Sequence, residues 1–356
     1  MPIPAAAGRH RALLVKLAVT VLVLGLLAAG ADWQGIAGRL SAADPWLLAA
    51  GFAAKALTLP LAALRWRAVG RAAGFTLSRW SAFRLQMASS FLGQILPGSV
   101  GADLLRGWFT WRLGHPAGMV MLALLVDRLT ALLGVVVIGL IGVPHLAEVA
   151  PPAVAGTVLA GAAILAAGMA LLLLAGRIPG GIPGGRLPLP RRLREAAVVR
   201  KLAGMVMAAA AQMRGMAWNR AAWIGLGHGI GVHLATIAAT ILFARSVGLP
   251  LGWLDGLAIV PAAIVAAALP VSFGGWGVRE GAMVAGFALL GFDTGAALLV
   301  SLLIGLSIAV LSLPGGLFWL LLRNEAAALP QAIPASAVSP AAFPARPDAL
   351  PTDPTR

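Results

Sequence analysis

Cysteine and tyrosine are absent from the 356 residues, and charged side chains make up only 11% of the chain. Without cysteine there are no disulfides, iron–sulfur clusters, zinc–thiolate sites or thiol catalysis. An ordinary soluble domain carries about 25% charged residues, so this scarcity excludes a soluble globular fold, a disordered chain and a coiled coil. The G-x-x-x-x-G-K-S/T, H-E-x-x-H and G-x-S-x-G signatures of nucleotide, metalloprotease and hydrolase sites are missing too. Acidic residues are few, 12 against 27 Lys and Arg, giving a net charge of +15 with 24 of the basic residues arginine. In a soluble protein that excess would suggest nucleic acid. In so apolar a chain it encodes topology and attraction to anionic lipid. Membrane lipids rather than nucleic acids are the expected partners, and nothing calls for a cofactor or a metal. His228 and His233, five residues apart, fall on different helix faces and make no metal pair.

What is present in quantity is long apolar sequence. A bilayer core needs roughly 20 apolar residues per helix, and 13–31, 46–64, 118–143, 153–175, 221–244 and 296–322 each qualify as full spans. Two further apolar regions, 82–113 and 256–292, are interrupted near their middles, at Pro97-Gly98 and at Pro270 with Gly274-Gly275. The expected fold is an all-α, polytopic integral membrane protein of six spans plus two broken or re-entrant helical hairpins, ten helices if each broken region crosses twice. With the N-terminus inside, 21 basic residues fall on the cytoplasmic side and only Arg39 and Arg245 outside, which fits the positive-inside rule and puts both termini in the cytoplasm. The expected organisation is a cytoplasmic tail over 1–12, a membrane domain over 13–322 with a basic cytoplasmic segment at 176–217, and an Ala/Pro-rich disordered tail over 323–356. Residues 1–31 also mimic a secretory signal, with Arg9, Arg11 and Lys16 before an apolar stretch and Ala29-Gly30-Ala31 after it; we read them as an uncleaved first span.

The two breaks carry the chemistry. Leu96-Pro97-Gly98-Ser99-Val100-Gly101-Ala102-Asp103-Leu104-Leu105-Arg106 and Leu269-Pro270-Val271-Ser272-Phe273-Gly274-Gly275-Trp276-Gly277-Val278-Arg279 share the pattern L-P-x-S-x-G-x-x-x-x-R, and Glu280 follows the second. Three full spans separate the two regions, so they enter from opposite faces, the signature of an inverted repeat with a midplane site. Proline ends a helix and glycine permits the reversal. Unpaired backbone persists at membrane depth only inside protein or around a wet cavity. The restarting helix then aims its N–H groups into that cavity, with Arg106 and Arg279 in or near its first turn. An anion or a carboxylate sharing the site would explain a cation there, and phosphate suits both the guanidinium fork and the amides. Asp103 as an N-cap and Glu280 as a helix-start group are the structural alternatives.

Asp127 and Arg128 lie inside the span 118–143, where one charge costs about 2.5–3.5 kcal/mol on the insertion scale. Neighbours on a helix do not face each other, so each needs a partner elsewhere. Asp103, Arg106, Arg279 and Glu280 are the candidates, and one interior network of all six is expected. Lys55 also sits mid-span and is a candidate for reaching the cavity. The binding set is therefore Pro97, Gly98, Ser99, Gly101, Asp103, Arg106, Asp127, Arg128, Pro270, Ser272, Gly274, Gly275, Arg279 and Glu280.

On the two break motifs and Asp127-Arg128-Leu129, the chain resembles the lysylphosphatidylglycerol synthase transmembrane region family over about 10–322. The resemblance implies a bacterial inner-membrane protein of the flippase-like, stand-alone kind, since the sequence ends after the membrane region, without the soluble transferase domain of two-part members. It departs at Ala102, where the family often has a second glycine. It further implies lipid translocation, with a phospholipid or an isoprenoid-type lipid as substrate. A membrane-embedded lipid-modifying enzyme using Asp127 or Glu280, and a scaffold for lipid-biosynthesis partners docking on the basic segment, are the other readings.

Overall fold

The computed structural model describes residues 5–95, 99–175, 219–268, 272 and 275–328, and every regular element among them is a helix. In chain order these are α1 (Ala5–Ala29), α2 (Trp33–Ser41), α3 (Pro45–Ala56), α4 (Thr58–Ala73), α5 (Arg79–Ile95), α6 (Ser99–Arg112), α7 (Ala117–Val149), α8 (Pro152–Ala175), α9 (Arg220–Ser246), α10 (Trp253–Ala268), α11 (Val278–Leu289), α12 (Thr294–Ser312) and α13 (Gly315–Ala328). The starts follow local chemistry. Asp44 accepts from the Trp46 and Leu47 amides ahead of α3, with Pro45 in the first turn. Asn219 and Asp293 cap α9 and α12 in the same way; each short side chain satisfies an amide that the helix leaves unpaired.

A helix lies over each of the six expected spans, but four stretches are long and apolar enough to cross a membrane: Pro45–Ala73, Ala117–Val149, Arg220–Ser246 and Thr294–Glu325. The pair Leu17–Ala29 and Trp33–Ser41, bent by 81°, makes a fifth if taken as one span. The segment expected at 153–175 contributes only a shorter apolar helix, Pro152–Gly168. Among the described residues, four or five of the six expected spans are thus supported by length and composition. The second span also runs past residue 64 to Ala73, because the buried stripe Ala62, Trp66, Val69 and Ala73 keeps helical spacing through the arginines. The first residues of the expected tail, 323–328, belong to α13, and residues 5–12 to α1. The segment 176–217, the rest of that tail, and the side chains of Lys16 and Ser99 lie outside the described residues.

Both interrupted regions are helical pairs. α5 packs on α6, and α10 packs on α11. Their leading helices also cross to the far half of the chain, α5 onto α13 and α10 onto α7, while α4 lies along α9. Two apolar cores result. One gathers Trp66, Leu85, Phe109, Val126 and Leu322 around α4–α7 and α13. The other gathers Ile237, Phe243, Ile259, Phe287 and Ile304 around α9–α12. Large apolar side chains such as Leu26, Trp46, Ile141, Ile164 and Trp223 face outward, a surface that suits lipid and not water.

Candidate functional site

Asp127 projects from α7 about 15 Å along a helix that rises 1.5 Å per residue. It is 1% exposed and receives two arginines. Arg65 of α4 grips it with both edges, Nε to Oδ1 at 2.8 Å and Nη2 to Oδ2 at 3.1 Å. Arg106 of α6 donates Nη2 to Oδ2 at 2.6 Å. The same Nη2 reaches Asp103 Oδ1 at 3.1 Å, one turn earlier on its own helix, and Nη1 donates to Gln86 Oε1 of α5 at 2.9 Å. Asp103 in turn pairs with Arg128. The Arg106 guanidinium lies over the Trp66 ring, 4.3 Å from its centroid, an arrangement that strengthens when desolvated. Asp127 and Arg128, neighbours in sequence, thus take different partners, as their helical positions require.

Three guanidiniums therefore share two carboxylates. Two buried donors in the cluster, Arg106 Nε and Trp66 Nε1, have no acceptor among the described residues. A buried donor left unmatched costs about 1–3 kcal/mol, and an oxyanion is the kind of group whose oxygens could accept from both.

The second break is built differently. Arg279 pairs with the adjacent Glu280, its Nε donating to Oε1 at 3.0 Å, and its guanidinium lies 4.8 Å from the Trp276 ring centroid. Glu280 is fully buried and its Oε2 accepts from the Gly277 amide at 2.6 Å, so it does close the helix start. Gly305 of α12 makes room for this unit; a Cβ there would run into the Arg279 guanidinium and lie 2.6 Å from the Trp276 ring. Ser272 is buried at 1% exposure.

The expected single network of six charges is thus two groups: Asp103, Arg106, Asp127 and Arg128 meet, while Arg279 and Glu280 pair with each other. Asp103 is not an N-cap, because α6 already begins at Ser99, and Arg106 is its eighth residue, beyond the first turn. The helix-dipole argument holds for Arg279 alone, the second residue of α11. Gly101 is a helical residue of α6, and Gly275 sits in the turn before α11 at φ 81°. Pro97, Gly98, Pro270 and Gly274 lie outside the described residues. Sequence reasoning missed Arg65, Gln86 and Trp66. Arg65 directly follows the apolar run 46–64 and so reads as a cytoplasmic loop residue, although the buried stripe through Trp66 signals that the helix continues. Lys55 does reach the interior, donating to Thr236 Oγ1 at 3.2 Å. His228 and His233 each engage a backbone carbonyl, of Ile224 and Ala131.

No curated protein matches the chain. Residues 13–316, which include both breaks and every charged residue of the two groups, match the family model of the lysylphosphatidylglycerol synthase TM region, and the chain belongs to that family of lipid-related integral membrane proteins.

Proposed function

We propose that the protein is a lipid carrier of the bacterial inner membrane, which binds an anionic headgroup at the Asp127 cluster and moves it between leaflets. The observation that carries this reading is the imbalance of three guanidiniums over two carboxylates beside two unmatched buried donors. A surplus charge at membrane depth is expensive. A phosphodiester of a phospholipid or isoprenoid-type lipid supplies one negative charge and accepting oxygens for Arg106 Nε and Trp66 Nε1.

The packing supports a carrier. α5 on α13, α10 on α7, and α4 along α9 are the pairings that a two-fold relation between 45–149 and 220–328 would generate. This reading takes α8 to cross the bilayer with α7 and α9, which inverts one half relative to the other, and rocking one half against the other then exposes the site alternately. In this reading both termini are cytoplasmic, and Arg65 leaves the inner loop for the site without changing the arginine bias.

The test is transbilayer movement of labelled phosphatidylglycerol in vesicles containing the purified protein. Arg106→Ala should slow it about tenfold or more, the worth of one charge-assisted contact of roughly 1.5–3 kcal/mol, and Arg128→Ala should slow it too. Wild-type rates in both variants would overturn the assignment.

A further inference from the structure

Around the second break, the cations again outnumber the carboxylates among the described residues. Lys55 of α3 is buried, and among the described residues its ammonium has one partner, Thr236 Oγ1 of α9 at 3.2 Å. The Thr236 hydroxyl proton is committed to the Val232 carbonyl. Two of the three ammonium donors are therefore unused. Arg279 rests against Gly305 of α12, and α12 packs on α3, the helix of Lys55. Among the described residues Glu280 is not a partner of Lys55: its Oε1 holds Arg279 and its Oε2 accepts from the Gly277 amide.

Two hydroxyls complete the picture. Ser272, in the break itself, and Ser301 of α12 are 1% and 0% exposed, and neither Oγ has a hydrogen-bond partner among the described residues. Ser301 lies one turn before Gly305, on the face of α12 that receives Arg279 and Trp276. α12 packs on α3, α9 and α11, the helices that carry Lys55, Thr236 and Arg279. Lys55, Arg279 and Ser301 are thus carried by helices that pack on one another, with Ser272 in the break before α11.

We propose that Lys55, Arg279, Ser272 and Ser301 form a second oxyanion site that takes a phosphate group. Lys55 stands ten residues before Arg65 of the first site on one span, a backbone rise of about 15 Å. The inference rests on the reading that the chain handles an anionic lipid and deepens it: the headgroup has two stops, one against each broken hairpin. A phosphodiester brings the single negative charge that each site lacks, and its tetrahedral oxygens accept donors arriving from different helices.

The experiment counts bound lipid on the intact protein by native mass spectrometry, titrating phosphatidylglycerol in detergent. Wild type should bind two molecules, Lys55→Met one, and Arg106→Ala one. Ser301→Ala, which removes a single oxygen and leaves packing intact, should weaken the second molecule about threefold to tenfold and keeps the proposal testable if Lys55→Met does not fold. Two molecules bound with unchanged affinity in Lys55→Met or Ser301→Ala overturn the second site. If one molecule binds to wild type and is lost only in Arg106→Ala, the second site falls while the carrier reading stands. Radiolabelled inorganic phosphate, measured by equilibrium dialysis without lipid, separates the sources. Phosphate that binds wild type but not Lys55→Met, with no phosphatidylglycerol bound by either, keeps the site and removes the lipid reading.

Discussion

The two broken hairpins share an eleven-residue pattern and yet place their arginines in different surroundings. In the first, α6 restarts at Ser99, the serine of the pattern, and Arg106 lies two turns inside the helix. In the second, α11 restarts six residues later in register, at Val278, and Arg279 is in the first turn. The glycines decide this. Gly275 and Gly277 sit at φ 81° and 84°, a region that other residues avoid, and they prolong the turn. Their counterparts are Ala102 and Leu104, good helix formers that carry α6 straight through. Arg106 then reaches across to a carboxylate and a tryptophan on other helices, whereas Arg279 finds both within its own loop and first turn. Arg106 is held by an assembly of four helices; the Arg279–Glu280–Trp276 unit is nearly self-contained.

That difference has an energetic consequence. Asp127 holds Arg65 and Arg106 together, so Asp127→Ala leaves two buried guanidiniums without their shared anion and should cost about 3–5 kcal/mol. Glu280→Ala releases one guanidinium and one amide, and the cost should be nearer 1–3 kcal/mol. Thermal unfolding in detergent should rank Asp127→Ala well below Glu280→Ala; the reverse order would break the contrast between assembled and self-contained sites. A glycine exchange is the next largest effect. Gly277→Ala places a Cβ at φ 84° and 3.1 Å from Val23 of α1, which should cost about 1–3 kcal/mol. At the matching position, Leu104→Gly changes an exposed helical residue and should cost only about 1 kcal/mol. Equal losses would remove glycine as the reason the helices start in different registers.

Much of this was legible in the sequence for a physical reason: run length and interruption are one-dimensional signals of a bilayer. The apolar runs at 118–143 and 221–244 lie within the helices Ala117–Val149 and Arg220–Ser246, and each interrupted region is a pair of packed helices. The charges of Asp103, Arg106, Asp127 and Arg128 announced their cluster because an unpaired charge at depth is intolerable. Arg65 did not, because an arginine at the end of an apolar run looks like a loop charge unless the stripe Ala62, Trp66, Val69 is followed past it. Nor could spacing reveal that the two arginines sit at different helical depths, since the pattern they share omits the positions of Ala102, Leu104, Gly275 and Gly277 that set the register.

The outer ends of the hairpins differ as well, and here the expected effect is smallest. α5 is tied to α13 by Arg84 and Glu325 at 2.5 Å, and α10 to α7 by Asp255 and His145 at 2.8 Å. Glu325 is largely exposed, and a pair of that kind contributes about 0–1 kcal/mol. Asp255→Asn should be equally mild, since the amide oxygen can still accept from the Gly252 amide that Asp255 Oδ2 now holds at 2.8 Å. Neither substitution should move the melting temperature by more than a few degrees, but each should loosen only its own hairpin, because the two ties reach different spans. The absence of cysteine makes this measurable without background. A cysteine introduced as Ser90→Cys on α5 should react faster with a thiol reagent when combined with Arg84→Ala and at an unchanged rate with Asp255→Asn. Equal acceleration by both would mean that the hairpins move as one body, and a carrier that exposes two stops in turn requires that they do not.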